Sequence, residues 1–197
     1  VNGDGKIDMI IGTGGVRDES GFKGSLWYLK NTGTNQTPEF TIESKDFLEL
    51  SKSHSLTRLQ PQWADFDGDG VVDLGIVSSG TSGLEFRYFS NRGKKNEAVN
   101  FDLSKPVSIS LPSPNRVTDK IFFYDYDKDG DLDLIFGKSE GNLVSYRNDG
   151  TPKNPSFTLD NSALGGVSFN FNGRYVSLAV TDLNLDGQPD LITSDYS

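Results

Sequence analysis

An acidic loop of nine residues occurs three times in full along this chain and once more in part. The full copies are Asp65-Phe66-Asp67-Gly68-Asp69-Gly70-Val71-Val72-Asp73, Asp125-Tyr126-Asp127-Lys128-Asp129-Gly130-Asp131-Leu132-Asp133 and Asp182-Leu183-Asn184-Leu185-Asp186-Gly187-Gln188-Pro189-Asp190. The partial copy, Asn2-Gly3-Asp4-Gly5-Lys6-Ile7-Asp8, enters at loop position 3. Positions 1, 3, 5 and 9 carry acidic side chains, with Asn184 and Asn2 standing at position 3 of their copies, and position 6 is always glycine. Alternate residues of a tight loop turn their side chains inward together, so these positions build a cage of oxygen atoms. Three or four carboxylates so crowded repel one another unless a cation neutralises them. A hard divalent ion taking six to eight oxygens suits the pattern, and calcium is the expected ion.

Glycine at position 6 admits the φ > 0 backbone that would bring the position-7 carbonyl onto the ion, here that of Lys6, Val71, Asp131 or Gln188. The expected ligand sets are therefore Asn2, Asp4, Lys6 and Asp8; Asp65, Asp67, Asp69, Val71 and Asp73; Asp125, Asp127, Asp129, Asp131 and Asp133; and Asp182, Asn184, Asp186, Gln188 and Asp190. That makes three complete sites and a truncated fourth. An EF-hand needs an acidic ligand at position 12, whereas position 12 here is Ile11, Ile76, Phe136 or Thr193. A short apolar run follows each loop instead, with positions 8 and 10 on one side of a strand and the position-9 Asp turned back to the metal. Each loop is expected to link strand to strand.

The first ligand positions, 65, 125 and 182, recur at a period that marks an array of supersecondary units. In each unit a first strand enters the loop (61–64, 121–124, 175–180) and a second leaves it. A third ends in an Asn-x-Gly turn at Asn31, Asn91 or Asn148. A fourth is expected to start near Phe40, Phe101 or Phe157. Four short antiparallel strands per unit make a propeller blade.

These loops, with the phrases Asp133-Leu134-Ile135-Phe136-Gly137 and Tyr146-Arg147-Asn148-Asp149-Gly150-Thr151-Pro152, resemble the FG-GAP/VCBS-type repeats found in the N-terminal propeller of integrin α chains and in many secreted proteins. The resemblance covers essentially the whole chain. It implies an all-β propeller of about seven blades, of which this stretch supplies about three to four. The expected segments are 1–58, a blade lacking strand 1; 59–116 and 117–173, full blades; and 174–197, strands 1 and 2 of a further blade. The chain is thus expected to be a fragment of a larger protein.

The net charge of −9 fits this scheme, because half of the 28 acidic residues lie in the loops, and four divalent cations would bring the chain close to neutrality. Such acidity argues against nucleic acid as a partner. Cysteine is absent, so no disulfide is available and calcium would act as the staple. No apolar stretch is long enough to span a bilayer. Loops of this kind fill most readily at the millimolar calcium outside cells, which favours a secreted or cell-surface location.

The leading functional expectation is a calcium-stabilised recognition or adhesion module, not an enzyme, that binds a protein or glycan on the face opposite the metal loops, where the connections vary most. The alternatives are the propeller part of a carbohydrate-active enzyme or lectin, and an architectural component of a large assembly. Arg58, Arg116 and Arg174 each precede a loop by seven to nine residues and suggest a partial guanidinium ring, the competing reading being unrelated solvated arginines. Trp63, Phe123 and Val180, and Val1, Phe66, Tyr126 and Leu183, hold equivalent apolar positions and read as core or loop anchors. His54, the single histidine, reads as solvent-exposed, and Asn35-Gln36-Thr37 is a glycosylation sequon followed by Pro38.

Overall fold

Strands dominate the computed structural model, which describes residues 1–18, 21–95, 97–160, 164, 174–184 and 186–196. They fall into two compact units, 1–81 with 85–110, and 82–84 with 111–197.

In the first unit, β1 (Met9–Gly12) leads through a small hairpin, β2 (Val16–Asp18) and β3 (Gly21–Lys23), to β4 (Leu26–Asn31) and β5 (Phe40–Ser44), with sheet order β1-β4-β5. A 3-10 turn (Phe47–Glu49) and one helical turn, α1 (Leu50–Ser53), then interrupt the connection. A second sheet follows in chain order from β6 (Gln60–Ala64), β7 (Asp73–Ser79), β8 (Leu84–Phe89) and β9 (Val107–Ile109). β7 is buried over nearly its whole length, as a strand covered on both faces must be, which explains its unbroken apolar run. β4 instead buries alternate residues from Leu26. Leu26, Leu50, Leu56, Leu59, Leu74, Ile76 and Phe89 make one core cluster, each contributing about 1.5–3 kcal/mol on full burial.

The second unit repeats the four-strand plan with β10 (Lys120–Tyr124), β11 (Asp133–Gly137), β12 (Leu143–Asn148) and β13 (Phe157–Leu159), followed by a hairpin of β14 (Arg174–Thr181) and β15 (Asp190–Tyr196). The β10–β11 pairing is antiparallel and runs from Lys120 opposite Gly137 to Tyr124 opposite Asp133. Gly137 ends β11 against β14, where a Cβ would overlap the carbonyl oxygen of Val176. Antiparallel sheets of this kind are consistent with a β-propeller-like fold, and among the described residues no sheet closes on itself.

Three expectations need correction. The fourth strand of the second repeat starts at Val107, not near Phe101, which makes only an isolated bridge with Asn91. Asp102 folds the intervening residues into a turn by accepting the Ser104 N–H and hydroxyl, and Pro106 has no N–H to extend a ladder. His54 is part-buried: its Nε2 lies 2.9 Å from the Leu103 carbonyl and its ring stands edge-on to Phe89 at 5.3 Å. Leu183 is 69% exposed, whereas its counterpart Phe66 is 3% exposed beneath Phe86 and Tyr88 of β8. Among the described residues, the β14–β15 sheet has no third strand to cover the corresponding position.

Candidate metal centre

Each full loop joins a pair of antiparallel strands: β6 to β7, β10 to β11, and β14 to β15. Inside the loops a side-chain oxygen accepts the N–H two residues ahead. Asp67 takes the N–H of Asp69 and Asp69 that of Val71; Asp127 takes Asp129 and Asp129 takes Asp131; Asn184 takes Asp186 and Asp186 takes Gln188. In the partial copy Asn2 and Asp4 do the same for Asp4 and Lys6. The position-1 carboxylate reaches across to the position-6 glycine: Asp65 to Gly70 at 2.7 Å, Asp125 to Gly130 at 3.1 Å and Asp182 to Gly187 at 2.9 Å. Those glycines have φ of +87°, +99° and +83° with open space where a Cβ would stand, so backbone conformation rather than crowding requires glycine there.

The position-9 aspartate does more than face the cage. Its Oδ2 accepts the position-2 N–H, from Phe66 to Asp73 at 3.0 Å, from Tyr126 to Asp133 at 3.0 Å and from Leu183 to Asp190 at 2.9 Å. Its Oδ1 accepts the N–H of the asparagine that closes the third strand: Asn31 to Asp8 at 2.9 Å, Asn91 to Asp73 at 2.8 Å and Asn148 to Asp133 at 2.8 Å. These asparagines are themselves buried. Each uses its Oδ1 to cap two N–H groups of the next turn: Gly33 and Glu39, Gly93 and Asn100, Gly150 and Ser156. Sequence reasoning treated them as turn residues and missed this inward role.

Two loops gather three carboxylates with oxygens within 4.8 Å of one another, Asp65, Asp67 and Asp73 in one and Asp125, Asp127 and Asp133 in the other. Asp69 and Asp129 at position 5 stand exposed outside these triads. Among the described residues, the loops at 2–8 and 182–190 form no such group. Their position-3 asparagines supply amide groups, and the Nδ2 of each donates to the position-5 carboxylate, Asn2 to Asp4 at 3.0 Å and Asn184 to Asp186 at 2.9 Å.

Electrostatics agree with the geometry. Burial pushes Asp73 up to about 6, against hydrogen bonds from Asn91 and Phe66, with repulsion from Asp67 and Asp69 adding to the rise. Asp133 is likewise pushed up to about 6, by burial and by Asp127. Asp131 is raised by burial and by its neighbours Asp129, Asp127 and Asp125. Asp125 Oδ1 and Asp131 Oδ1 are buried without a hydrogen-bond partner. A crowd of carboxylates, with unpartnered oxygen as well in the loop at 125–133, is the environment a divalent cation relieves, so the donor sets at 65–73 and 125–133 fit such an ion.

Other expected features are placed as follows. Arg58 is exposed at φ +55°, Arg116 is ion-paired with Glu140, and the Arg174 side chain lies outside the described residues. Asn35 of the sequon binds the partial loop, accepting the Ile7 N–H at 2.7 Å and donating to the Gly5 carbonyl at 3.1 Å. No described helix is long and apolar enough to cross a membrane.

The FG-GAP-like repeat matches the chain three times, at residues 1–76, 65–136 and 125–193. Successive matches overlap on an acidic loop and the strand after it, so the loop is the joint between repeats. No curated protein and no solved structure matches the chain. With three copies covering almost its entire length, the chain belongs to the FG-GAP-like repeat family.

Proposed function

We propose that this chain is a calcium-stabilised segment of a β-propeller that acts by binding, without chemistry of its own, as a recognition or adhesion module of a larger secreted or cell-surface protein. The partner is a protein or glycan held on the loops opposite the acidic ones. The observation that carries the metal role is the pair of carboxylate triads, each with oxygens within 4.8 Å of one another, together with the buried, unpartnered Oδ1 atoms of Asp125 and Asp131 in the loop at 125–133. The raised carboxyls Asp73, Asp131 and Asp133 all belong to these loops, which favours ion binding over catalysis as the cause of the perturbation. Repeats of this family are typically extracellular and mediate protein interactions, which supports the location and the role.

Bound calcium would neutralise the carboxylates and tie each first strand to its second. Thermal unfolding in calcium and in chelator tests this. A site filled at 100 times its Kd adds about 2.7 kcal/mol to folding stability, so calcium should raise the midpoint by several degrees. Equal midpoints in the two buffers would sink the metal role.

A further inference from the structure

The turn between β11 and β12 lies at the opposite end of β11 from its acidic loop. Here Lys138 donates its N–H to the Asn142 carbonyl at 2.8 Å and Gly141 donates to Lys138 at 3.0 Å. Asp119, 1% exposed, anchors the turn from below, accepting the N–H of Ser139 at 2.8 Å, the N–H of Arg116 at 3.0 Å and the Lys138 ammonium at 3.1 Å. Lys138 also donates to the Pro114 carbonyl at 2.8 Å, and Tyr175 at the start of β14 donates its N–H to Ser139 at 3.3 Å. Three separate segments are thereby fixed around one cavity of about 420 Å³, lined by Arg116, Thr118, Ser139, Glu140 and Tyr175. That volume falls within the ~300–1,000 Å³ of small-ligand sites.

Two features point to a ligand. The Ser139 hydroxyl is buried without a hydrogen-bond partner on a residue only 9% exposed, a costly state for a polar group. Tyr175 sits at φ +61°, an uncommon backbone for an aromatic residue, and keeps its side chain on the cavity wall with the residue 46% exposed. Charge narrows the ligand class. Arg116 is ion-paired with Glu140 at the rim, and Lys138 with Asp119 beneath it. An anion would meet as many carboxylates as cations, and a lipophilic guest would strip water from Arg116, Glu140, Thr118 and Ser139 without replacing it. A neutral polyhydroxyl ring suits all five: an aromatic face for its C–H surface, guanidinium donors, carboxylate acceptors, and two hydroxyls that serve either way.

We propose that this pocket binds one neutral saccharide unit, its apolar ring face on Tyr175 and its hydroxyls paired with Ser139, Thr118 and the Arg116–Glu140 couple. The proposal deepens the recognition reading and rests on it, choosing glycan over protein for this pocket. To test it, the full chain in calcium buffer is titrated with the methyl glycosides of glucose, galactose, mannose and N-acetylglucosamine by saturation-transfer NMR. At least one should bind. Tyr175→Gly, which suits a φ of +61° and so spares the fold, should weaken it at least tenfold, and Ser139→Ala about fivefold. The proposal is overturned if none of the four binds at up to ~50 mM, well above a millimolar Kd, or if a sugar binds equally well to both variants. A calcium-dependent thermal midpoint measured alongside a negative result leaves the metal-stabilised module standing and removes only the sugar pocket.

Discussion

Replacing Asn148 with alanine should destabilise the protein more than any exposed change in the same turn. Asn148 is 2% exposed, and its Oδ1 accepts the N–H of Gly150 at 3.0 Å and of Ser156 at 2.8 Å. Its own N–H, which goes to Asp133, survives the substitution because it belongs to the backbone. Asn148→Ala therefore strands two backbone donors and leaves the strand 3 anchor in place. An unsatisfied buried donor costs about 1–3 kcal/mol. Both of these are only part-buried, so water recovers some of that, and a total of about 2–4 kcal/mol is expected. For a chain of this size the midpoint should fall by roughly 5–15 °C. The assay is urea unfolding at saturating calcium, with Asn154→Ala as control because Asn154 is an exposed asparagine in the same turn. An unchanged m-value with a lower midpoint would place the effect in the native state. If the two variants unfold within about 0.5 kcal/mol of each other, where exposed substitutions ordinarily lie, the inward role assigned to Asn148 is wrong.

Gly137→Ala forces a Cβ onto the Val176 carbonyl oxygen and to 3.0 Å from its carbon, and should cost about 1–3 kcal/mol by overpacking; a melt indistinguishable from the parent would show that β14 yields freely. Asn184→Asp restores the carboxylate at position 3 and removes the amide donor to Asp186, so calcorimetric calcium affinity at that loop should tighten roughly tenfold with the added ligand charge, while the chelated protein becomes less stable. Burial raises Asp119, yet hydrogen bonds from Ser139 and Arg116, together with Lys138, outweigh it and hold the carboxyl below its ordinary value. Its contribution is therefore present above about pH 4 and lost as pH falls through the lower folded value. The midpoint gap between the parent and Asp119→Asn should close on acidification, and a gap that stays constant from pH 6 to pH 3, a range chosen to bracket the ~4 of a free carboxyl, would contradict that assignment.

Much of this was legible in the sequence, for reasons that also explain the failures. The oxygen positions and the strands beside them follow a strict two-residue alternation, and the glycine at position 6 is demanded by a φ between +83° and +99° in the full copies. Local chemistry alone determines such features. Phe101 misled because an aromatic at the expected distance from Asn91 meets the bridge but not the strand, the ladder being delayed by a turn at Asp102 and by Pro106. His54 sits in a serine-rich stretch that reads as solvated, and only the fold brings it against Phe89 and Leu103, far along the chain. The buried asparagines escaped because their partners lie at unequal separations. Asp8 to Asn31 spans the β2–β3 hairpin, whereas Asp133 to Asn148 spans a short turn, so no fixed spacing betrays the pair.

That hidden pair changes what an ion in the loop would do. A cation bound only by loop residues would stiffen the loop and the two strands that it joins. Here the position-9 carboxylate holds the loop amide through one oxygen and the third strand's asparagine through the other, in the repeats of Asp73 and Asp133 alike. The same carboxyls are the ones that burial and neighbouring carboxylates push up to about 6. A protonated carboxyl keeps both oxygens but accepts more weakly than an ionised one, so relieving the repulsion strengthens both hydrogen bonds together. Neutralisation by calcium would accordingly tighten three strands of a repeat rather than two. The asparagine turn passes that restraint on through Ser156 to the start of the fourth strand in the repeat of Asp133, and through Asn100 to the Asn91–Phe101 bridge in the repeat of Asp73. In a chain without disulfides, this gives a route by which a loop ion stabilises a whole sheet.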